Sequence, residues 1–403
     1  MSISYAKGKE GIEMSAPEID HNKLPKLLEV HYKTKHPVLI WGAPGIGKTQ
    51  AITAFAKSKA KDENKDFVEW NQLSRTEKHR IAIEGDEKKF ILASTRSSDK
   101  DPTDLKGALN FFNNKEFLDW ELPLVCKAFC NKKNSGVWFF DEFTQAPPLI
   151  QNVMQQVLLD RVINEEPLSK EAFIIAATNR VEDFASVFEL PSPVANRFHH
   201  YILEAPNTET WTKWGVKHGI DSTVIGYLNF KQSHLFMPPK EGQNITAWAS
   251  PRTWEFASDT IKEAKSMPSS DIVSLIGSAV GIGVATEYSG FVKTAINIDI
   301  DGIIKDPKTI SKYIKDPAKD IDKKYAIVAG IVERYAKNKK ILKSVLDIAM
   351  EFHKLGKKPG DQPEFVILLL KQVKEIDTND FINVINHKAW GEINKHYGQY
   401  MQD

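Results

Sequence analysis

The stretch with the most chemistry in this sequence is Gly42-Ala43-Pro44-Gly45-Ile46-Gly47-Lys48-Thr49. It fits G-x-x-x-x-G-K-[ST], a glycine-rich turn that aims successive backbone N–H groups at one point. A helix starting at the end of the turn adds its positive end, and the concavity so formed holds a chain of phosphates. In that role the Lys48 ammonium neutralises the outer phosphate oxygens, and the Thr49 hydroxyl holds Mg²⁺. Gln50 follows directly and completes the binding segment 42–50.

Further residues could complete such a pocket. Val137-Trp138-Phe139-Phe140 is an apolar run ending in Asp141-Glu142. A buried strand with that ending delivers both carboxylates to the C-terminal edge of a sheet, where ligands of open α/β sheets bind. Asp141 is the candidate to organise Mg²⁺ and its waters. Glu142 is the candidate to accept a proton from an attacking water, or to orient it. Phe173-Ile174-Ile175-Ala176-Ala177-Thr178 is a second apolar run and ends at Asn179, whose amide could position that water and touch the terminal phosphate. An asparagine at a strand end is also common turn chemistry. Arg197 stands just before a last strand-like run. In a ring it would reach the γ-phosphate of a neighbouring subunit and stabilise transition-state charge. Arg180, next to Asn179, is the rival for that place. Ser250-Pro251-Arg252-Thr253 reads as a helix start with a Ser cap and Pro in the first turn. Arg252 could sense a γ-phosphate from there, which would offset the unfavourable meeting of a cation with a helix N-terminus.

These groups need strands to carry them. Strand-like runs recur at 37–41, at 67–70 or 90–94, and at 137–140, 173–177 and 199–203, separated by helical or polar stretches. Such alternation implies an α/β architecture, a parallel sheet with helices on both faces. Val38-Leu39-Ile40-Trp41 enters the loop as a buried strand would. Residues 50–60 leave it as a helix, with Ile52, Phe55 and Ala56 at helical spacing. Leu24, Leu27 and Leu28 suggest a short helix before the first strand, preceded by an arm over 1–22. The highly charged stretch 71–89 reads as a solvated insertion. Pro206 marks a change of character, with helices expected at 210–218, 222–233, 252–266 and 270–293. The small residues of 277–283 point to close helix–helix packing. Residues 296–318 read as a linker rich in Asp, Lys and Pro, and 322–403 as helical again. The expected organisation is thus an arm (1–22), a nucleotide-binding αβ domain (23–205), a helical lid (206–295), and a linker with a helical C-terminal extension (296–403).

With the phosphate loop, Asp141-Glu142, Asn179, Arg197 and Arg252 in this order, the chain resembles the AAA+ ATPases, and most nearly the MoxR group. Three further stretches carry the closer likeness. Asp101-Pro102-Thr103-Asp104-Leu105-Lys106-Gly107 is similar to a segment those proteins carry before the Asp-Glu strand. Asp141-Glu142-Phe143-Thr144-Gln145-Ala146-Pro147-Pro148, continuing to Gln151, resembles their D-E-x-x-x-A-P-P-x-x-Q run. Phe188-Glu189-Leu190-Pro191, leading to Asn196-Arg197-Phe198, resembles their approach to an arginine finger. The likeness covers residues 23–295, with no counterpart for 71–89. It implies a P-loop NTPase fold with a five-stranded parallel sheet, an all-α lid and assembly as a homo-oligomeric, hexameric ring. It implies an ATP phosphohydrolase using ATP and Mg²⁺ at subunit interfaces, with Arg197 supplied in trans. It also implies chaperone-like remodelling or activation of a client protein, the usual partner carrying a von Willebrand factor A domain. Leu105, Lys106, Phe111 and Phe112 are then the candidates for a loop at the central pore.

Composition sets the outer bounds. The chain has 403 residues, 41% of them hydrophobic, enough for two or three cores. Its formal net charge is +1, which gives no global drive toward nucleic acid or membrane. A nucleic-acid-directed motor of the same broad clade is therefore the less favoured reading, because it needs basic, often aromatic pore loops. A scaffold that binds ATP and hardly hydrolyses it is disfavoured by the intact Glu142. Cys126 and Cys130, one helical turn apart, could bind metal or cross-link, but read better as two buried thiols in a reducing compartment. The first twenty residues are polar and charged, so no secretory leader is expected. No stretch reaches the roughly 18 apolar residues of a membrane span, and a cytoplasmic protein is expected.

Overall fold

Strands that are apolar on both faces are stable only inside a sheet covered on both sides, and the first half of this chain is built from them. Ser135–Asp141 is buried from its first residue to Phe140, and Ala172–Thr178 is buried throughout. The computed structural model describes residues 16–112, 117–180, 183, 188–240, 246–264, 266–355, 363–377 and 388–401. The chain divides into two compact units, Met1–Ala205 and Pro206–Asp403.

In the first unit the elements follow in order as β1 (Glu18–Ile19), α1 (Leu24–Thr34), β2 (Val38–Trp41), α2 (Lys48–Asp62), β3 (Asp66–Glu69), α3 (Arg75–Ile83) and β4 (Lys89–Arg96). Then come α4 (Thr103–Lys106), β5 (Ala108–Phe112), β6 (Phe117–Glu121), α5 (Leu124–Cys130), β7 (Ser135–Asp141) and α6 (Pro148–Leu159). The unit closes with β8 (Val162–Ile163), β9 (Glu166–Pro167), β10 (Ala172–Thr178), α7 (Ser192–Ala195) and β11 (His199–Leu203). Seven strands form one parallel sheet in the order β1-β11-β2-β10-β7-β4-β3. β5–β6 and β8–β9 are separate antiparallel hairpins. Helices cover the sheet, so the P-loop NTPase class expected from the sequence holds.

Three expectations change. The sheet has seven strands rather than five, because 66–69 and 89–96 are both strands and β1 adds an edge. The charged stretch 71–89 is not a solvated insertion: it holds α3, the crossover between β3 and β4. Ser74 and Glu77 cap α3 reciprocally, and its buried Ile81 and Ala82 pack in the core against the α5 side of the sheet. Part of the expected arm is β1, paired with β11 through Glu18↔Ile202 and Ile19↔Leu203. Residues 1–15 of that arm lie outside the described residues.

The second unit is helical: α8 (Thr208–Lys217), α9 (Ser222–Phe230), α10 (Pro251–Glu263), α11 (Ser269–Val280), α12 (Ile282–Ile296), α13 (Ile300–Lys305), α14 (Ile310–Tyr313), α15 (Ile321–Lys337), α16 (Leu342–Lys354), α17 (Pro363–Ile376) and a last helix, Lys388–Tyr397. One apolar core gathers residues from Trp211 to Tyr397. The expected single helix over 270–293 is broken between α11 and α12 at Gly281, whose φ of 93° suits glycine and few other residues. The two helices then pack closely, since a Cβ on Gly277 would lie 2.9 Å from Ile282 Cδ1. The stretch 296–318, expected as a linker, contains α13 and α14, and its Ile300, Ile303, Ile310 and Ile314 join the core. No helix among the described residues is long and apolar enough to cross a membrane. Cys126 is buried and Cys130 half-buried, neither in a disulfide; burial pushes the Cys130 thiol up to about 12.

Candidate functional site

The loop between β2 and α2 is held by its glycines. Gly42 leaves the sheet with its N–H bonded to Thr178 O of β10 at 3.1 Å. A Cβ there would meet Leu203 O at 2.7 Å and Ile46 Cδ1 at 2.8 Å, so only glycine allows this close approach to β11. Gly45 and Gly47 have φ of 79° and 95°, which turn the chain at Pro44 and Ile46 back toward the helix. Gly47 is the N-cap of α2 and carries no side chain to cap the first N–H groups of the helix. Those donors and the positive end of α2 face the concavity, which suits an anion.

Lys48 and Thr49 open α2 and point to opposite sides of the site. Lys48 is 8% exposed, and its Nζ donates to Gly42 O (2.5 Å), Ala43 O (3.0 Å) and Asn179 Oδ1 (2.8 Å). Thr49 Oγ1 donates to Asp141 Oδ2 at 3.0 Å. Asp141 ends β7, and its other oxygen accepts the Glu142 N–H at 2.9 Å. Glu142 adopts a left-handed backbone (φ 54°). Lys48, Thr49, Asp141, Glu142 and Asn179 thus share the C-terminal edge of β2, β7 and β10, the adjacent central strands. The Thr49 hydroxyl and the Asp141 carboxylate are adjacent oxygen donors of the kind Mg²⁺ takes.

Two residues absent from the sequence reading also reach Glu142. Ser98 Oγ donates to Glu142 Oε2 at 2.5 Å, and Arg96 Nε lies 3.7 Å from the same oxygen. The signal for them is register: β4 pairs with β7 so that Arg96 stands opposite Asp141, which brings Ser98 beside Glu142. His21, from the stretch expected to be an arm, is a third omission. Its ring faces the backbone of Ile46 and Glu204, and burial lowers its pKa below the usual histidine value.

The two arginine candidates of this unit differ. Arg180 is committed within its own chain: Nε and Nη2 bond to the Asp183 carboxylate at 3.1 and 3.0 Å. Arg197 follows α7, donates from Nη1 to Pro193 O, and is paired with no carboxylate among the described residues. Its neighbour Phe198 packs edge-on against Phe143, at 5.4 Å between rings, which ties this turn to the segment after Glu142. Arg252 lies in the other unit, exposed on the first turn of α10 behind the Ser250–Thr253 capping box. Gln50 is exposed on the first turn of α2.

The pore candidates divide. Leu105 is 2% exposed, accepts the Cys126 thiol at its carbonyl (3.2 Å) and packs in the core, so it is removed from that set. Lys106 is half-buried. Phe111 is 57% exposed on the β5–β6 hairpin. Register places Leu109 opposite Trp120 and Phe111 opposite Leu118, so four exposed apolar side chains share one face of the hairpin. The Phe112 side chain lies outside the described residues.

Residues 38–203 match the family model described as "ATPase family associated with various cellular activities (AAA)". No curated protein matches the chain. Among solved structures the chain is similar to NtrX from Brucella abortus, with 14% identity over 83% of this chain and 68% of that one and a TM-score of 0.33. It is also similar to the RuvB Holliday junction branch migration motor of Thermotoga maritima (15%, 73% and 76%, TM-score 0.26) and to C. elegans PCH-2 (12%, 77% and 66%, TM-score 0.26). Superpositions this loose leave the assignment to the family match and the geometry of the site.

Proposed function

Because residues 38–203 form an AAA-family ATPase domain, we propose that the protein hydrolyses ATP as a homo-oligomeric ring, six subunits in the MoxR manner, and remodels or activates a client protein. The observation that carries this reading is the meeting of Lys48, Thr49, Asp141, Glu142 and Asn179 on one sheet edge, linked by the Lys48–Asn179 and Thr49–Asp141 hydrogen bonds. The loop N–H groups and Lys48 bind the phosphates, and Lys48 exchanges its carbonyl partners for phosphate oxygens. Thr49 and Asp141 would hold Mg²⁺, which would supply charge neutralisation on the phosphates. Glu142 accepts the proton of the attacking water, and Asn179 orients that water. Arg197 serves a neighbouring subunit and Arg252 senses the γ-phosphate. The lack of a carboxylate partner for Arg197 among the described residues, against the Asp183 clamp on Arg180, supports the choice between the two arginines.

The exposed apolar face of the β5–β6 hairpin supports a protein client. Leu109, Phe111, Leu118 and Trp120 offer contact area to a polypeptide and no cation to a phosphate backbone. A partner with a von Willebrand factor A domain belongs to this reading. The test is Glu142→Gln in the full chain. ATP binding and ring assembly are expected to persist while phosphate release is abolished, and a client is expected to stay bound through affinity capture with ATP present. Normal turnover in Glu142→Gln would remove Glu142 from the mechanism and the reading with it.

A further inference from the structure

The helical unit contains a cavity of about 360 Å³ between α8, α9, α15 and α17, far in sequence from the phosphate loop. Gln372 of α17 lines it. This side chain is 4% exposed, and neither its amide nitrogen nor its amide oxygen has a hydrogen-bond partner among the described residues. A buried primary amide with both ends unsatisfied is costly and rare, and calls for a partner. Beside it are Thr212 (2% exposed) and Asn229 (6%). Asn229 Nδ2 is spent on Thr212 Oγ1 (3.3 Å) and Ile225 O (2.8 Å), which leaves the Thr212 hydroxyl proton free to give. Tyr325, Ile367 and Leu368 supply flat and aliphatic walls.

The charged rim selects against anions. Lys213 and Lys371 each reach Glu209 at 3.4 Å, and Glu375 takes Lys213 at 3.8 Å and Lys217 at 2.9 Å. Glu364 adds an exposed carboxylate at the mouth. The lysines are therefore already neutralised, and a phosphate would have to break those pairs. What remains is a site of ordinary ligand size with apolar walls and a few buried polar groups, the usual make-up of a small-molecule pocket. A side-chain amide pairs in bidentate fashion with a ring edge that offers a donor next to an acceptor, as glutamine does with adenine.

We propose that this cavity binds a neutral planar heterocycle with an adjacent donor and acceptor, a nucleobase or a nicotinamide-type carboxamide, paired edge to edge with Gln372. The ligand lies against Tyr325 and the aliphatic wall and carries no phosphate. The site is separate from the phosphate loop and does not depend on the ATPase reading.

The experiment uses the full chain and its Gln372→Leu variant, with adenosine and nicotinamide as probes and calorimetry and thermal melting as readouts. Adenosine lacks the phosphates the loop requires, so Lys48→Ala is expected to leave its binding unchanged. Binding by adenosine alone, or by nicotinamide alone, identifies the source of the ring. Gln372→Leu is expected to weaken binding by about ten- to hundredfold, the value of one bidentate pair. It is also expected to melt no lower than the parent without ligand, because it replaces an unsatisfied amide with a hydrocarbon of similar size. Three results overturn the proposal: neither probe binding at millimolar concentration, equal binding by Gln372→Leu, or AMP binding more tightly than adenosine in the Lys48→Ala chain, where the phosphate loop is disabled. A lower melting temperature for ligand-free Gln372→Leu also overturns it, because the amide would then be completed by structural water.

Discussion

Removing the Ser98 hydroxyl should speed hydrolysis rather than slow it. Ser98 Oγ holds Glu142 Oε2 at 2.5 Å, a short O–H···O⁻ bond that fixes the carboxylate on the β4 side of the site. In the proposed mechanism a carboxylate so held is less available to the attacking water. A hydrogen bond to a charged group contributes about 1.5–3 kcal/mol net. The Glu142 side chain is still 32% exposed, so the lower end applies, equivalent to a bias of about tenfold. Ser98→Ala should therefore raise basal turnover by about tenfold, and Ser98→Thr should restore the parental rate. Arg96 gives an internal comparison. It lies 3.7 Å from the same oxygen with its side chain 66% exposed, where an ion pair contributes about 0–1 kcal/mol. Arg96→Ala should thus change turnover by less than about fivefold. The assay is phosphate release at saturating ATP and Mg²⁺, with a thermal melt to confirm that each variant is folded. A Ser98→Ala protein that binds ATP normally but turns over at or below the parental rate would refute the reasoning. The Ser98 bond would then belong to the productive arrangement and not to a resting one.

The remaining predictions concern the arginines and a buried histidine. Arg180→Ala should destabilise the fold, because Asp183 loses a two-point partner, whereas Arg197→Ala should melt normally and lose turnover. Mixing Arg197→Ala with Lys48→Ala subunits should partly restore hydrolysis, and the absence of rescue at every mixing ratio would count against action in trans. His31 should make the protein acid-sensitive: burial first, then the neighbouring His199 and His36, lower its pKa to about 4, with its ring 4.3 Å from that of His199. The unfolded chain takes up a proton near pH 6.5 that the folded chain refuses until about 4, so stability falls as pH drops through that window. Urea titrations at several pH values should show His31→Gln with a flatter slope between those limits, and an unchanged slope would exclude His31 as the cause.

The parts of the site legible in the sequence are those whose signal is local. The phosphate loop has a fixed spacing, and β7 and β10 are buried on both faces, so each reads as an unbroken apolar run that ends on its candidate residue. Asp141, Glu142 and Asn179 could be placed without knowing any pairing partner. Ser98 could not, because its only signal is the register that sets Arg96 opposite Asp141, and register between strands some 40 residues apart is a tertiary property. α3 was hidden for a related reason. Only Ile81 and Ala82 of its nine residues are buried, so charge dominates its pattern and a crossover helix looks like a solvated loop. β1 spans two residues and has no period to detect.

The stretch 296–318 shows how one residue type can point both ways. Asp and Pro there suggest an open linker, since neither favours the interior of a long helix. In the structure the same residues stand at the ends of short helical segments. Asp299 accepts the Gly302 N–H at 2.9 Å, Asp306 accepts that of Lys308 at 3.2 Å, and Pro307 follows at the first position of its turn. Each cap satisfies backbone donors that a short helix would otherwise leave open. The capped turns then present Ile300, Ile303, Ile310 and Ile314 inward, to the core shared with α15 and α16. The clue separating a linker from a capped run was therefore not the Asp and Pro content but the isoleucines between them, Ile300, Ile303, Ile310 and Ile314 included, large apolar side chains that a solvated linker would have no reason to carry.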